Sequence, residues 1–214
     1  MLSILLIVFL SYLAGSIPTA IIASRIVMND DIRNHGSKNA GATNVYRVMG
    51  WKPALVVVLI DVGKGVLATL ILSRLRIDAV ALDPLPVRLL AGSASIVGHV
   101  WTVFAGFKGG KGVGTAAGVF LGLAPLPVLA ALVVWLGLVF STRIVSVSSL
   151  AAAVTLPTAL WIQKRFFDPR IPGFLLWITI ALAVLIVFTH RSNIKRLVRG
   201  EEHRFGSKSG RAAR

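Results

Sequence analysis

Apolar residues along this chain fall in long blocks: Leu2 to about Ile26, Pro53 to about Arg74, about Pro86 to Phe104, Val113 to Phe140, Ile144 to Ile162 and Gly173 to Thr189. Each block is apolar on every face. A helix rising 1.5 Å per residue needs about 20 such residues to cross roughly 30 Å of hydrocarbon, whereas barrel strands alternate polar and apolar residues. The pattern therefore predicts an all-α, polytopic membrane bundle. Gly15, Ser16 and Pro18 inside the first block predict a kink or a close helix approach there. The block from Val113 to Phe140 is too long for one simple crossing, and Ala124-Pro-Leu-Pro127 interrupts it. It predicts two short spans joined by a tight hairpin, giving about seven transmembrane helices.

Composition sharpens this picture. Hydrophobic residues make up 56% of the chain, yet the formal net charge is +15, so apolar bulk and basic charge must occupy different places. The basic residues sit in short segments between blocks, where the positive-inside rule and anionic lipid account for them without nucleic acid. With no cysteine, disulfides and thiolate chemistry are unavailable. The first block lacks a basic leader and a convincing small-residue cleavage site, and it reads as a retained span.

Charge also predicts orientation. With seven spans and the N-terminus outside, one face receives Arg25, Arg33, Lys38, Arg47, Lys52, Lys108, Lys111, Arg143 and the eight basic residues that follow His190, while the other receives six. That asymmetry puts the C-terminus in the cytoplasm. It also puts three polar segments on one face.

The first of these, His35-Gly-Ser-Lys-Asn-Ala-Gly-Ala-Thr-Asn-Val-Tyr-Arg47, gathers hydroxyls at Ser37 and Thr43, amides at Asn39 and Asn44, and cations at Lys38 and Arg47. Such a set suits a phosphate, although Asn and Ser also make ordinary solvated turns. The second, Gly106 to Thr115 (GFKGGKGVGT), is glycine-rich and basic and opens onto an apolar run. Glycines at 109, 110, 112 and 114 allow positive φ and close approach, and a helix N-terminus beside Lys108 and Lys111 forms an anion site. A flexible turn whose lysines only set topology is the other reading. In the third, His190, Asn193 and Arg196 share a face if the last helix continues, though its other cations serve as membrane anchors.

Three further features bear on chemistry. Asp61 and Lys64, three apart inside a span, either pair internally or support a nearby site, because unpaired charge in hydrocarbon is costly. His99, on a mostly apolar helix, reads as a hydrogen-bonded structural group before a base. In Arg143 to Ser149 (RIVSVSS), Ser148 and Ser149 are expected to bond back to their own helix, and Ser146 stays open. Much familiar machinery is missing. The glycine turn is not a Walker A loop, since Ala105 and Gly112 stand where that loop needs Gly and Ser or Thr, and there is no G-x-S-x-G elbow and no metal-ligand cluster. An enzyme built this way needs a substrate that is already activated.

Taken together, GSKNAGATNVYR at 36–47, GHVWTVFAGFKGGKGVGT at 98–115 and HRSNIKRLVRGEE at 190–202 closely resemble the three signature motifs of the bacterial membrane acyl-phosphate:glycerol-3-phosphate acyltransferases, the PlsY family. The motifs occur in family order, and the resemblance runs to about Glu202. It implies one membrane-embedded acyltransferase domain over residues 1–202; residues 203–214 lie outside the resemblance and are expected to form a basic, disordered cytoplasmic tail. The implied reaction moves a fatty acyl group from acyl phosphate to the 1-hydroxyl of sn-glycerol 3-phosphate, giving lysophosphatidate and inorganic phosphate at the cytoplasmic face of the bacterial inner membrane. No cofactor and no metal are implied, and the oligomeric state stays open.

By the family's pattern, His190, Lys111, Asn193 and Ser37 form the catalytic set. Ser37, Asn39, Thr43, Asn44, Arg47, Gly109, Gly110, Lys111, Gly112, Ser146, His190, Asn193 and Arg196 contact substrate. The histidine and aspartate pair of many glycerolipid acyltransferases is absent, since neither His35 nor His99 is followed five residues on by Asp. The leaving phosphate is expected to take the hydroxyl proton, with His190 as the competing base. A transporter of an organic phosphate and a lipid-binding scaffold are the rival readings.

Overall fold

The computed structural model describes residues 1–79 and 83–205. All regular structure in them is helical: α1 Leu2–Ser16, α2 Thr19–Met28, α3 Ala42–Met49, α4 Trp51–Leu70, α5 Pro84–Val100, α6 Val113–Leu121, α7 Pro125–Thr142, α8 Val145–Ile162, α9 Gly173–Thr189 and α10 Arg191–Val198. Among the described residues, five stretches are long and apolar enough to cross a membrane, and α9 with α10 forms a sixth, bent by 60°. Side chains such as Leu5, Val133 and Val184 are mostly exposed, as lipid-facing groups are in a bundle whose outer surface meets hydrocarbon.

The hairpin predicted within 113–140 is present but unequal. Helix α6 has nine residues and rises about 14 Å. Helix α7 has 18 residues and is a full span, with Pro125 and Pro127 in its first turn, where a missing amide does no harm. This break divides the chain into two compact units, Met1–Leu123 and Ala124–Arg214. Of the expected tail, residues 206–214 lie outside the described residues. The chain at Phe205 is held, its amide donating to the Arg143 carbonyl at 2.7 Å.

In the first unit, the break at Ile17 and Pro18 separates α1 from α2, and small residues let the helices touch. A Cβ on Gly15 would overlap the backbone of Ser95 on α5, one on Gly98 the backbone of Tyr12, and one on Gly118 the backbone of Val62 on α4. Close packing of this kind replaces the hydrophobic drive that lipid removes. Near the first polar segment, Ile32 and Val45 are fully buried with Ile21, Ala54 and Val57, and Ala105 packs on the same cluster. That shared core sets the segment after α2 beside the end of α5. In the second unit, α8 packs between α7 and α9, and α10 turns away at His190.

Candidate functional site

The glycine-rich segment forms a closed turn on the end of α5. The Phe107 amide donates to the Thr102 carbonyl at 2.8 Å, the Gly109 amide to Val100 at 3.0 Å and the Gly110 amide to His99 at 3.0 Å. Positive φ falls at Gly106 and Gly112 and, without glycine, at Phe107. Gly109 and Gly110 serve a different need from the one expected of them. A Cβ on Gly109 would strike the His99 carbonyl, and one on Gly110 would strike His99 Nε2. Their amides close the turn onto the end of α5. The first turn of α6, which Gly112 caps at φ 87°, has N–H groups with no partner in the helix ladder, the kind of amides that can receive an anion. Lys111 stands half-buried at that point.

The first polar segment lies alongside. Arg33 grips Asp31 through Nε and Nη2, at 3.0 and 2.7 Å, and extends Nη1 to the Ala105 carbonyl at 2.9 Å. Its guanidinium joins the two loops and holds the Asp31 carboxyl below the ordinary range. Asn44 is buried and organises the loop. Its Oδ1 accepts from the Ser37 amide at 2.8 Å, and its Nδ2 donates to the carbonyls of Ile32, His35 and Asn39 at 3.0 to 3.1 Å. Both of its amide hydrogens are engaged inside the loop. Ser37, Asn39 and Thr43 are half-buried around it. Thr43 and Arg47, four apart on α3, fall on one helix face.

In the second unit, three predicted residues converge on one carboxylate. Glu202 Oε1 accepts from Ser146 Oγ at 2.9 Å and from Asn193 Nδ2 at 2.7 Å, while Oε2 accepts from Arg196 Nε at 2.7 Å. Burial raises the Glu202 pKa, but the bonds from Asn193, Arg196 and Ser146 and the Arg196 charge outweigh it and hold the carboxyl below its ordinary value. His190, also buried, donates from Nδ1 to the Ile186 carbonyl at 2.8 Å. A carbonyl only accepts, so the neutral ring carries its proton on Nδ1 and presents Nε2 as the basic nitrogen. Ser148 bonds back to Ile144 as expected, whereas Ser149 accepts from Trp135 Nε1 at 3.2 Å.

Residues 5–200 match the family model described as glycerol-3-phosphate acyltransferase. The chain belongs to that family. The glycerol-3-phosphate acyltransferase of Chlorobaculum tepidum is 44% identical, covering 98% of this chain and all of the relative, and that of Pelodictyon phaeoclathratiforme is 42% identical over 97% of this chain and all of the relative. Two crystal structures of PlsY, an integral membrane glycerol 3-phosphate acyltransferase, match at TM-scores of 0.79 and 0.77 with 39% and 38% identity. Both cover 95% of this chain and 96% of the solved one, and they are its glycerol 3-phosphate and lysophosphatidic acid forms. This acyltransferase is thus a multi-pass membrane enzyme of glycerol 3-phosphate acylation.

Sequence reasoning missed two groups that organise these residues. Glu202 was legible in principle, as an acid in a strongly basic stretch needs cationic partners. Arg33 was half legible. Its pairing with Asp31 is local, but its reach to Ala105, 72 residues away, is not.

Proposed function

We propose that this acyltransferase uses acyl phosphate as its donor and releases lysophosphatidate and inorganic phosphate at the cytoplasmic face of the bacterial inner membrane. The chain then crosses about seven times with its N-terminus outside, the orientation that the positive-inside rule favours. The observation that carries the reading is the Arg33 bridge, which ties the glycine-rich turn to the hydroxyl- and amide-bearing first loop on one side of the first unit. Two adjacent phosphate-friendly loops suit a reaction between two phosphorylated substrates.

In this reading Ser37, Asn39, Thr43 and Arg47 bind phosphate together with Lys111 and the amides that follow Gly112. Gly109, Gly110 and Asn44 shape those loops from behind. For the second unit, taken by itself, the family resemblance gives His190 and Asn193 to catalysis, and Ser146 and Arg196, around Glu202, to holding or contacting substrate.

Acyl phosphate is a mixed anhydride, so its carbonyl needs no covalent enzyme intermediate. The 1-hydroxyl oxygen of glycerol 3-phosphate bonds to the acyl carbon, the carbon–oxygen bond to phosphate breaks, and the hydroxyl proton leaves with the phosphate. Cations hold the two anions together, and proximity with charge stabilisation supplies most of the rate. In this reading the phosphate is the proton acceptor, and His190, whose Nδ1 donates to the Ile186 carbonyl, is the competing base. Purified protein given both substrates tests the reading. Release of inorganic phosphate that requires acyl phosphate and glycerol 3-phosphate together is the expected result, and turnover with acyl-CoA but not acyl phosphate would refute it.

A further inference from the structure

Inside the first unit a second polar cluster lies directly behind the glycine-rich turn. Asp61 and Lys64 project from α4 and are 5% and 4% exposed. Asp61 Oδ1 accepts from Lys64 Nζ at 2.7 Å and from Thr19 Oγ1 at 3.1 Å, and Lys64 also donates to the Ile17 carbonyl at the break between α1 and α2, at 2.5 Å. His99 faces the same oxygen, with Nδ1 at 3.7 Å, too far for a hydrogen bond but near enough for the carboxylate charge to act on the ring dipole. The other edge of the ring meets the turn. Nε2 occupies the space a Gly110 side chain would need, and the His99 carbonyl accepts the Gly110 amide at 3.0 Å.

A buried ion pair adds little stability over a well-packed apolar pair, and charge inside a span is costly. Helix packing here does not depend on it either, since Gly65 and Gly118 already bring α4 against α6. What the pair supplies is a fixed charge that orients a ring.

We propose that Asp61 and His99 are positioning residues for the reaction: Asp61, held by Lys64 and Thr19, orients the His99 ring, and the ring sets where Gly110 lies, so that the backbone leading into Lys111 holds its phosphate in reactive register. The inference rests on the glycine-rich turn being a phosphate site, as proposed above.

Steady-state kinetics on the purified full-length protein, varying each substrate with the other saturating, separate the two ideas. Lys111→Ala identifies which substrate the turn holds, by a raised KM. His99→Ala, which leaves the ion pair intact, is expected to raise the KM of that same substrate about ten- to a hundredfold, the loss that a displacement near 1 Å produces, with the melting temperature kept. Asp61→Asn is expected to act in the same direction, and His99→Ala combined with Asp61→Asn to be no worse than His99→Ala alone, because the carboxylate acts through the ring. Should loss of one charge unfold the protein, Asp61→Leu with Lys64→Met removes both and replaces Asp61→Asn in the comparison. An unchanged KM in His99→Ala, or additive losses in the combined variant, overturns the positioning role. If Lys111→Ala itself leaves both KM values and turnover intact, the phosphate-site reading fails instead.

Discussion

Asn193 and Arg196, one turn apart on α10, are joined through a single carboxylate, with the amide of one on Oε1 of Glu202 and the guanidinium of the other on Oε2, each at 2.7 Å. Ser146, at the start of α8, is the third donor. The knot fastens the segment after α10 to the first turn of α8, and the bond from the Phe205 amide to Arg143 makes a second tie just before that helix.

Glu202→Gln replaces one acceptor oxygen by an amide NH2 that faces the donors. Loss of a charge-assisted bond predicts destabilisation of about 1–3 kcal/mol, read as a lower melting temperature. The pH dependence has a definite sign. The folded-state pKa of Glu202 lies below its ordinary value. Its contribution is therefore fully present above about pH 4.3 and is lost as pH falls through the lower folded value. The Gln variant should lose that acid-side slope, and an unchanged slope would assign it to another carboxylate.

Arg47→Ala and Lys111→Ala should each depress kcat/KM about a hundredfold or more, as expected when a cation aimed at a reacting phosphate is removed. Arg47→Lys should recover little if the planar fork is in use. Wild-type KM and kcat for either alanine variant would remove that residue from the site.

Gly109→Ala is predicted to be far more damaging than Gly114→Ala. The first puts a Cβ into the His99 carbonyl, which cannot move without unwinding the end of α5, whereas the second meets only Asp61 Cβ at 3.5 Å, an ordinary contact. In α6 the added methyl even favours helix by about 0.5–1 kcal/mol. Melting temperatures and kcat/KM of the two purified variants measure the difference, and equal losses would contradict this packing.

If the leaving phosphate takes the proton, as proposed above, His190→Asn should lower turnover while leaving the shape of the pH–rate profile intact. Disappearance of one limb of the profile, with phosphate binding unchanged, would give the base role to His190 Nε2.

The membrane class, the blocks that became α4, α5, α8 and α9, and the three polar segments were all legible in the chain, because apolar blocks and glycine-rich basic turns are local properties. The kink near Pro18 and the break near Pro125 were legible for the same reason. The roles of Gly109, Gly110 and Asn44 were not. Their residue types suit both a ligand and a loop's own interior, and only the position of the end of α5 behind the glycines, and of three carbonyls around Asn44, shows how each builds its loop.

By itself the sequence determined that this protein is a helical membrane acyltransferase whose polar chemistry sits in three short segments, since hydropathy and motif order are written along one dimension. Tertiary structure alone decided that Arg33 clasps Ala105, that Glu202 gathers Ser146, Asn193 and Arg196, and that Asp61 looks across at His99. Those pairings join residues on different loops and helices, and packing chooses them through glycines that allow contact and through the cost of leaving a buried charge without a partner.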